Sequence, residues 1–152
     1  MDIRIFRMAL VMTAAFTGMA VLSGCGVGTI KMKVVNNGDL PITGVQVYDP
    51  PAQGEVPGPD AEINRMPLDG AGYTRPIAVD DAAVLPWFFQ NRVYRVSVTF
   101  FRQDPQGAPV FETVVAANDL DLRAVRRGST VTVTVTRGAN NPGTFTYQVQ
   151  NP

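Results

Sequence analysis

The chain of 152 residues contains no histidine, and this absence excludes several classes of function at once. A Ser-His-Asp triad and a Cys-His pair both depend on an imidazole as the base, and the usual zinc sites draw on the same side chain. A histidine pH switch is excluded for the same reason. An enzyme that uses carboxylates alone needs two acids about 5 to 10 Å apart across a cleft. No such pair is indicated, so we predict no catalytic residue, no metal site and no enzyme activity.

Cysteine is almost as scarce, because Cys25 is the single one in the chain. An intrachain disulfide is therefore impossible, and a folded body must be stabilised by burial of its apolar residues. Hydrophobic residues make up 45% of the chain, which suits a domain of this size. The 13 basic and 13 acidic residues balance, so the sequence shows neither the basic footprint of a nucleic-acid-binding protein nor a polybasic lipid-binding segment.

The first residues have the pattern of a cleavable secretory signal peptide. Arg4 and Arg7 precede an uncharged, apolar stretch from Met8 to Leu22, which is followed by the small residues Ser23 and Gly24. That stretch is shorter than the about 20 residues that a membrane-spanning helix needs. We therefore predict a signal peptide over residues 1–24 rather than a permanent transmembrane segment.

The run Leu22-Ser23-Gly24-Cys25 resembles the lipobox of bacterial lipoprotein signal peptides at all four positions. The resemblance implies cleavage between Gly24 and Cys25, a diacylglycerol on the Cys25 thiol and acylation, for example by palmitate, of the new amino group. The covalent lipid is the only cofactor-like group expected. Gly26 occupies the place where an aspartate would signal retention in the inner membrane, so the resemblance favours the outer membrane. The body would then face the periplasm, with surface exposure as an alternative.

Residues 25–28 would form the lipidated cysteine and a short tether, and residues 29–152 the body. The tether segment of Gly26, Val27 and Gly28 reaches only about 10 Å when fully extended. We therefore expect the body to lie against the membrane surface.

The body shows alternation of apolar and polar residues with a period of two, which is typical of half-buried strands. Six segments carry it: Thr29–Val34, Ile42–Tyr48, Arg92–Phe100, Val110–Val115, Ser129–Thr136 and Gly143–Val149. With the Gly- and Pro-rich connections, they predict an all-β fold, an antiparallel β-sandwich of immunoglobulin-like or transthyretin-like type.

Three segments between these strands carry predictions of their own. The turn Asn36–Asp39 predicts that the first two strands form a hairpin-like unit. The segment Asp80–Phe89 is the one candidate for a short helix, with Asp80 and Asp81 at its N-cap and Pro86 interrupting it. The long stretch Asp49–Gly72 is rich in proline and glycine, and a loop of that length is usually functional or disordered.

Trp87, Phe88 and Phe89 form the densest aromatic cluster. We favour the interpretation that it plugs one end of the sandwich. The alternative is a binding surface for a partner or for a sugar, in which Trp87, Tyr94 or Tyr73 would provide a stacking platform.

Two polar groups are further candidate sites. Asn118, Asp119 and Asp121 bring oxygen atoms together, but the spacing of a calcium-binding loop is missing, so a polar turn is predicted. Arg123, Arg126 and Arg127 form a small basic cluster. A solvated turn is the favoured interpretation, and contact with an anionic headgroup or an acidic partner is the alternative.

These features together favour a non-enzymatic lipoprotein whose sandwich binds a protein partner in the cell envelope. The body is similar in size and strand content to small outer-membrane lipoproteins of secretion machines, among them the transthyretin-like lipoprotein of the type VI secretion membrane complex. A carbohydrate- or small-ligand-binding module is the alternative.

Overall fold

A computed structural model describes residues 29–51 and 64–152 of the chain. The signal-peptide and lipobox predictions for Leu22, Ser23, Gly24 and Cys25 lie outside the described residues, as does the tether. Residues 52–63, which make up half of the proline- and glycine-rich stretch, lie outside them too.

The described part of the body consists of strands and loops, so the prediction of an all-β fold is confirmed. The strands are β1 (Ile30–Asn36), β2 (Ile42–Tyr48), β3 (Ala82–Phe89), β4 (Val93–Gln103), β5 (Pro109–Val115), β6 (Leu120–Asp121), β7 (Thr130–Gly138) and β8 (Asn141–Gln150). Over the same ranges, no helix has the length and hydropathy needed to cross a membrane.

The strands form two sheets that enclose one hydrophobic core. The first sheet has the order β3-β1-β7-β8, and the second has the order β2-β4-β5 with the short β6 paired to β4. The prediction of an entirely antiparallel sandwich is wrong at one pair, because β1 runs parallel to β7. Every other strand pair is antiparallel.

The period-two pattern predicted the inward faces of the central strands correctly. Three groups of alternating residues are buried: Ile30, Met32 and Val34 on β1, Tyr94, Val96, Val98 and Phe100 on β4, and Val131, Val133 and Val135 on β7. These strands are central because β1, β4 and β7 each pair with a neighbour on both sides. One face of each strand packs against the opposite sheet, which is the arrangement that alternation of apolar and polar residues predicts.

The hairpin predicted for the first two strands does not form, since β1 and β2 belong to different sheets. The turn between them carries the chain from one sheet across to the other. In the first sheet, β1 pairs with β3 in antiparallel orientation.

The short helix predicted over Asp80–Phe89 is also wrong, because Ala82–Phe89 forms the edge strand β3. Asp80 adopts a positive φ of 60° in the preceding turn, and the Asp81 carboxylate accepts a hydrogen bond from the Ala82 N–H rather than capping a helix. Pro86, which lacks an N–H group, is tolerated at a sheet edge.

Asn36 is a buried polar residue at the end of β1, with no exposed surface. Its Nδ2 donates to the carbonyl oxygens of Leu40 at 2.9 Å, Ile77 at 3.1 Å and Ala78 at 3.1 Å. Its Oδ1 accepts from the Gly38 N–H at 3.0 Å. One amide therefore fixes both the turn that leaves β1 and the loop that leads into β3.

We predict that Asn36→Ala destabilises the body by about 3 kcal/mol, because buried carbonyl and N–H groups lose their partner and cannot reach water. Denaturant unfolding monitored by circular dichroism measures the change. The control is Asn37→Ala, which removes an exposed amide and should change stability by less than about 0.5 kcal/mol. Equal effects of the two substitutions would contradict the assignment.

Candidate functional site

The structure divides the predicted aromatic surface into a buried half and an exposed half. Phe89 and Tyr94 are only 6% and 5% exposed, and their rings meet edge to face with centroids 5.5 Å apart. The Tyr94 hydroxyl accepts hydrogen bonds from the Gln90 N–H at 3.0 Å and from Arg92 Nε at 3.1 Å. For these two residues the core interpretation is confirmed, and Tyr94 cannot act as a stacking platform.

Trp87 and Phe88 face solvent instead, with 43% and 58% of their surface exposed. The cause is an irregularity in the pairing of β3 with β1: Lys31 pairs with Phe88, but Lys33 pairs with Val84. The segment 85–87 therefore lies opposite Met32 alone, and the strict alternation of β3 is lost at this bulge. For Trp87 and Phe88 the core interpretation is wrong.

Val84, Trp87 and Phe88 together form an exposed apolar strip, which we term the β3 edge. Val84 is 53% exposed, and the guanidinium of Arg65 lies over the Trp87 ring at 4.6 Å from its centroid. A cation over an indole face is an attractive contact that also marks the ring as accessible. The β3 edge thus combines aromatic surface with positive charge.

Tyr73 is 73% exposed, but it lies in a separate turn. The Asp69 carboxylate accepts hydrogen bonds from the N–H groups of Ala71 and Tyr73, both at 2.9 Å, and holds this turn. Of the three aromatic residues that the sequence offered as alternative stacking platforms, Trp87 and Tyr73 are exposed and Tyr94 is buried.

The acidic residues near β6 are bound to different arginines. Asp119 accepts from Arg95 at 2.8 and 3.2 Å, and Asp121 accepts from Arg123 at 2.9 and 2.6 Å. The side-chain and backbone hydrogen bonds from Arg123 lower the pKa of Asp121 to about 2, so this carboxylate is ionised at neutral pH. Within residues 29–51 and 64–152, no cluster of three or more His, Cys, Asp or Glu side chains is arranged to hold a metal ion.

The ion pair between Arg123 and Asp121 leaves two members of the basic cluster, Arg126 and Arg127, as its unpaired charges among the residues that the structure describes. Arg123 is neutralised by Asp121, whereas Arg126 and Arg127 form no ion pair with any residue that the structure describes. Arg127 lines an open groove of about 450 Å³ together with Thr29, Phe89, Gln90 and Asn91. The groove lies where the chain enters the sandwich.

A second exposed apolar surface lies on strands β5 and β8, and we term it the β5/β8 flank. Phe111 is 62% and Val115 49% exposed on the outer face of β5, and the Phe111 ring packs 5.6 Å from that of Phe101. Each strand is the last of its sheet, so in the described part of the chain one side of its backbone has no strand partner. Alternation does not reveal which strands end a sheet, so this surface could not be predicted from the sequence.

Beneath the β5/β8 flank, side-chain contacts hold the two sheets together. Gly143 of β8 approaches Val114 of β5 so closely that an added Cβ would lie 3.1 Å from its side chain. Arg137 donates to both Asp39 and Glu112 at 2.7 Å. The Tyr147 hydroxyl donates to the Asn118 carbonyl at 3.1 Å, and burial, with a smaller effect of the Asp119 charge, raises its pKa to about 12. The flank is therefore a fixed surface rather than two independent strands.

Comparison with protein-family models, with curated proteins and with solved structures found no match to this chain. The candidate surfaces are therefore interpreted from their own geometry and chemistry.

Proposed function

We propose that this chain is a lipid-anchored bacterial envelope protein whose β-sandwich is a non-enzymatic module that binds a protein partner. The lipobox at Leu22–Cys25, at the end of an apolar signal segment, supports the anchor and the outer-membrane location. The observation that carries the binding role is the β5/β8 flank, where exposed aromatic surface adjoins two sheet edges. A role in assembling an envelope machine, such as a secretion system, fits these properties.

The strand order favours the transthyretin-like form of sandwich over the immunoglobulin-like form. In the immunoglobulin constant-type order the first two strands lie in the same sheet, whereas β1 and β2 lie in different sheets. In the first sheet, β1 lies between β3 and β7 and runs parallel to β7. The transthyretin-like form is also that of the type VI secretion lipoprotein, to which the body is similar in size and strand content.

Strand addition is the binding mode that the β5/β8 flank supports best. An extended peptide can pair with an open sheet edge through backbone hydrogen bonds, while side-chain pockets provide specificity. The pairing of β4 with β5 through Val98–Val114 and Phe100–Glu112 leaves the backbone groups of Phe111, Thr113 and Val115 directed away from β4. Phe111 and Val115 then lie beside the open edge, where they would contact a bound strand.

The anchor is tested with Cys25→Ser, which removes the thiol that would carry the diacylglycerol. We expect the wild-type protein to have the mass of residues 25–152 plus acyl groups and to fractionate with the outer membrane. The variant should lack the acyl mass and leave the membrane fraction, because the acyl chains that would hold the protein stably in the membrane are missing. Ser23→Ala, which keeps a small residue before the cleavage site, serves as the control and should be processed normally. An unacylated wild-type chain would rule out the anchor.

The binding surface is tested with Phe111→Ser, measured as the amount of envelope partner that co-purifies with the detergent-extracted protein. We expect a loss of roughly tenfold or more, the usual effect of removing a central aromatic side chain from an interface. Phe88→Ser is the matched control, since Phe88 is 58% exposed and Phe111 62%. A partner lost with Phe88→Ser and retained with Phe111→Ser would place the interface on the other side of the body.

A carbohydrate-binding role is the second candidate, and the exposure of Trp87 beside the Arg65 guanidinium is the observation that favours it. Isothermal titration calorimetry with cell-wall oligosaccharides tests it. The expected result is a saturable heat that Trp87→Ala abolishes and Phe111→Ala leaves unchanged. The absence of any heat with the wild-type protein would exclude this candidate for the sugars tested.

A further inference from the structure

The β3 edge lies at the end of the sandwich where the chain enters from the tether. Ile30 pairs with Phe89 and Lys31 with Phe88, and the Gly128 N–H donates to the Thr29 carbonyl at 3.1 Å. The first residues of β1 are therefore in contact with the end of β3 and with the loop that precedes β7. We term this region the tether end; among its exposed side chains are Lys31, Trp87, Phe88, Arg126 and Arg127.

The short tether limits how far this end can lie from the lipid. Only Gly26, Val27 and Gly28 separate Cys25 from Thr29, and three residues span at most about 10 Å. The headgroup layer of one leaflet is itself roughly 5 to 8 Å thick. A lipid on Cys25 would thus hold the tether end within or directly above the headgroups.

The side chains at the tether end are those that suit this environment. Tryptophan and other amphipathic aromatic residues concentrate at membrane–water interfaces, and Trp87 and Phe88 present their rings there to solvent. Lys31, Arg126 and Arg127 have no ion-pair partner within the described residues. Asp121, on the short strand that precedes Arg126 and Arg127 in the chain, is held by Arg123 and so does not offset them.

We infer that the tether end is a membrane-contacting surface that lies on the anionic phospholipid headgroups of the bilayer holding Cys25. Trp87 and Phe88 enter the interfacial layer, and Lys31, Arg126 and Arg127 bind the anionic headgroups around them. This inference rests on the proposed lipidation and goes beyond it, because it fixes the orientation of the body. The β5/β8 flank, which lies at the other edge of the first sheet, is then left free for a protein partner.

The tether length and the charges favour a bilayer over a protein as the occupant of this surface. A protein partner bound at Phe88 would have to fit into the about 10 Å between the body and the lipid. Free cations next to exposed aromatic rings match an anionic lipid surface, to which each basic side chain adds about a fivefold change in binding.

Trp87 is the only tryptophan in the chain, so its fluorescence reports on this surface directly. The acylated protein is reconstituted into phosphatidylethanolamine vesicles containing phosphatidylglycerol and lipids brominated near the headgroup end of the acyl chain. We expect Trp87 to lose most of its fluorescence and its emission to shift to shorter wavelength. The control is a double variant, Trp87→Phe with Phe111→Trp, whose reporter lies on the β5/β8 flank and should be quenched far less.

Three further variants test the residues themselves. In anionic vesicles, Arg126→Ala and Arg127→Ala should each lower, by about fivefold, the ratio of protein whose tether end contacts the bilayer to protein whose tether end does not. Phe88→Ser should reduce the quenching of Trp87 fluorescence. Arg102→Ala removes an exposed charge at the far end of β4 and should have no effect.

The outcomes separate this inference from the proposed function. A chain without acyl mass overturns the anchor and the membrane contact together. An acylated chain in which Trp87 is quenched no more than the reporter of the double variant overturns the membrane contact alone. Shielding of Trp87 in native membranes but not in pure lipid vesicles would assign the tether end to a protein and would also overturn it.

Discussion

The arrangement of the whole body depends on the buried amide of Asn36. At this residue β1 ends, and the chain must leave the first sheet and enter the second without leaving buried backbone groups unpaired. The amide bonds to Leu40 on one side and to Ile77 and Ala78 on the other, so a single side chain joins the crossing to the loop before β3. An apolar side chain of similar volume would fill the space, but it would leave these carbonyl groups without donors.

That crossing places the two exposed apolar surfaces on opposite sides of the molecule. Because β1 and β2 are divided between the sheets, β3 becomes one edge of the first sheet and β8 becomes the other. The chain enters beside β3, which puts Trp87 and Phe88 next to the proposed lipid attachment. The β5/β8 flank lies along the opposite edge of the first sheet, so the proposed membrane contact and the proposed partner contact would use different edges.

The sequence predicted burial well on the central strands and poorly on the edge strand β3. Met32, Val98 and Val133 alternate with polar neighbours, and all three are buried because their strands are central. At the edges the same pattern is less reliable. Trp87 belongs to a bulged strand, and Phe111 belongs to the outer face of a terminal strand, so their apolar character does not report on their surroundings.

The sequence by itself determined the period-two faces of the strands, the lack of any histidine chemistry and the resemblance of Leu22–Cys25 to a lipobox, since these depend on residue identity and short-range spacing. Only the tertiary structure decided which strands pair, that β1 and β7 are parallel, and that Phe88 is exposed while Phe89 is buried. The physical reason is that strand pairing and register are set by contacts between residues far apart in the chain. Alternation states that a strand has an inner face, but it does not state which partner covers that face.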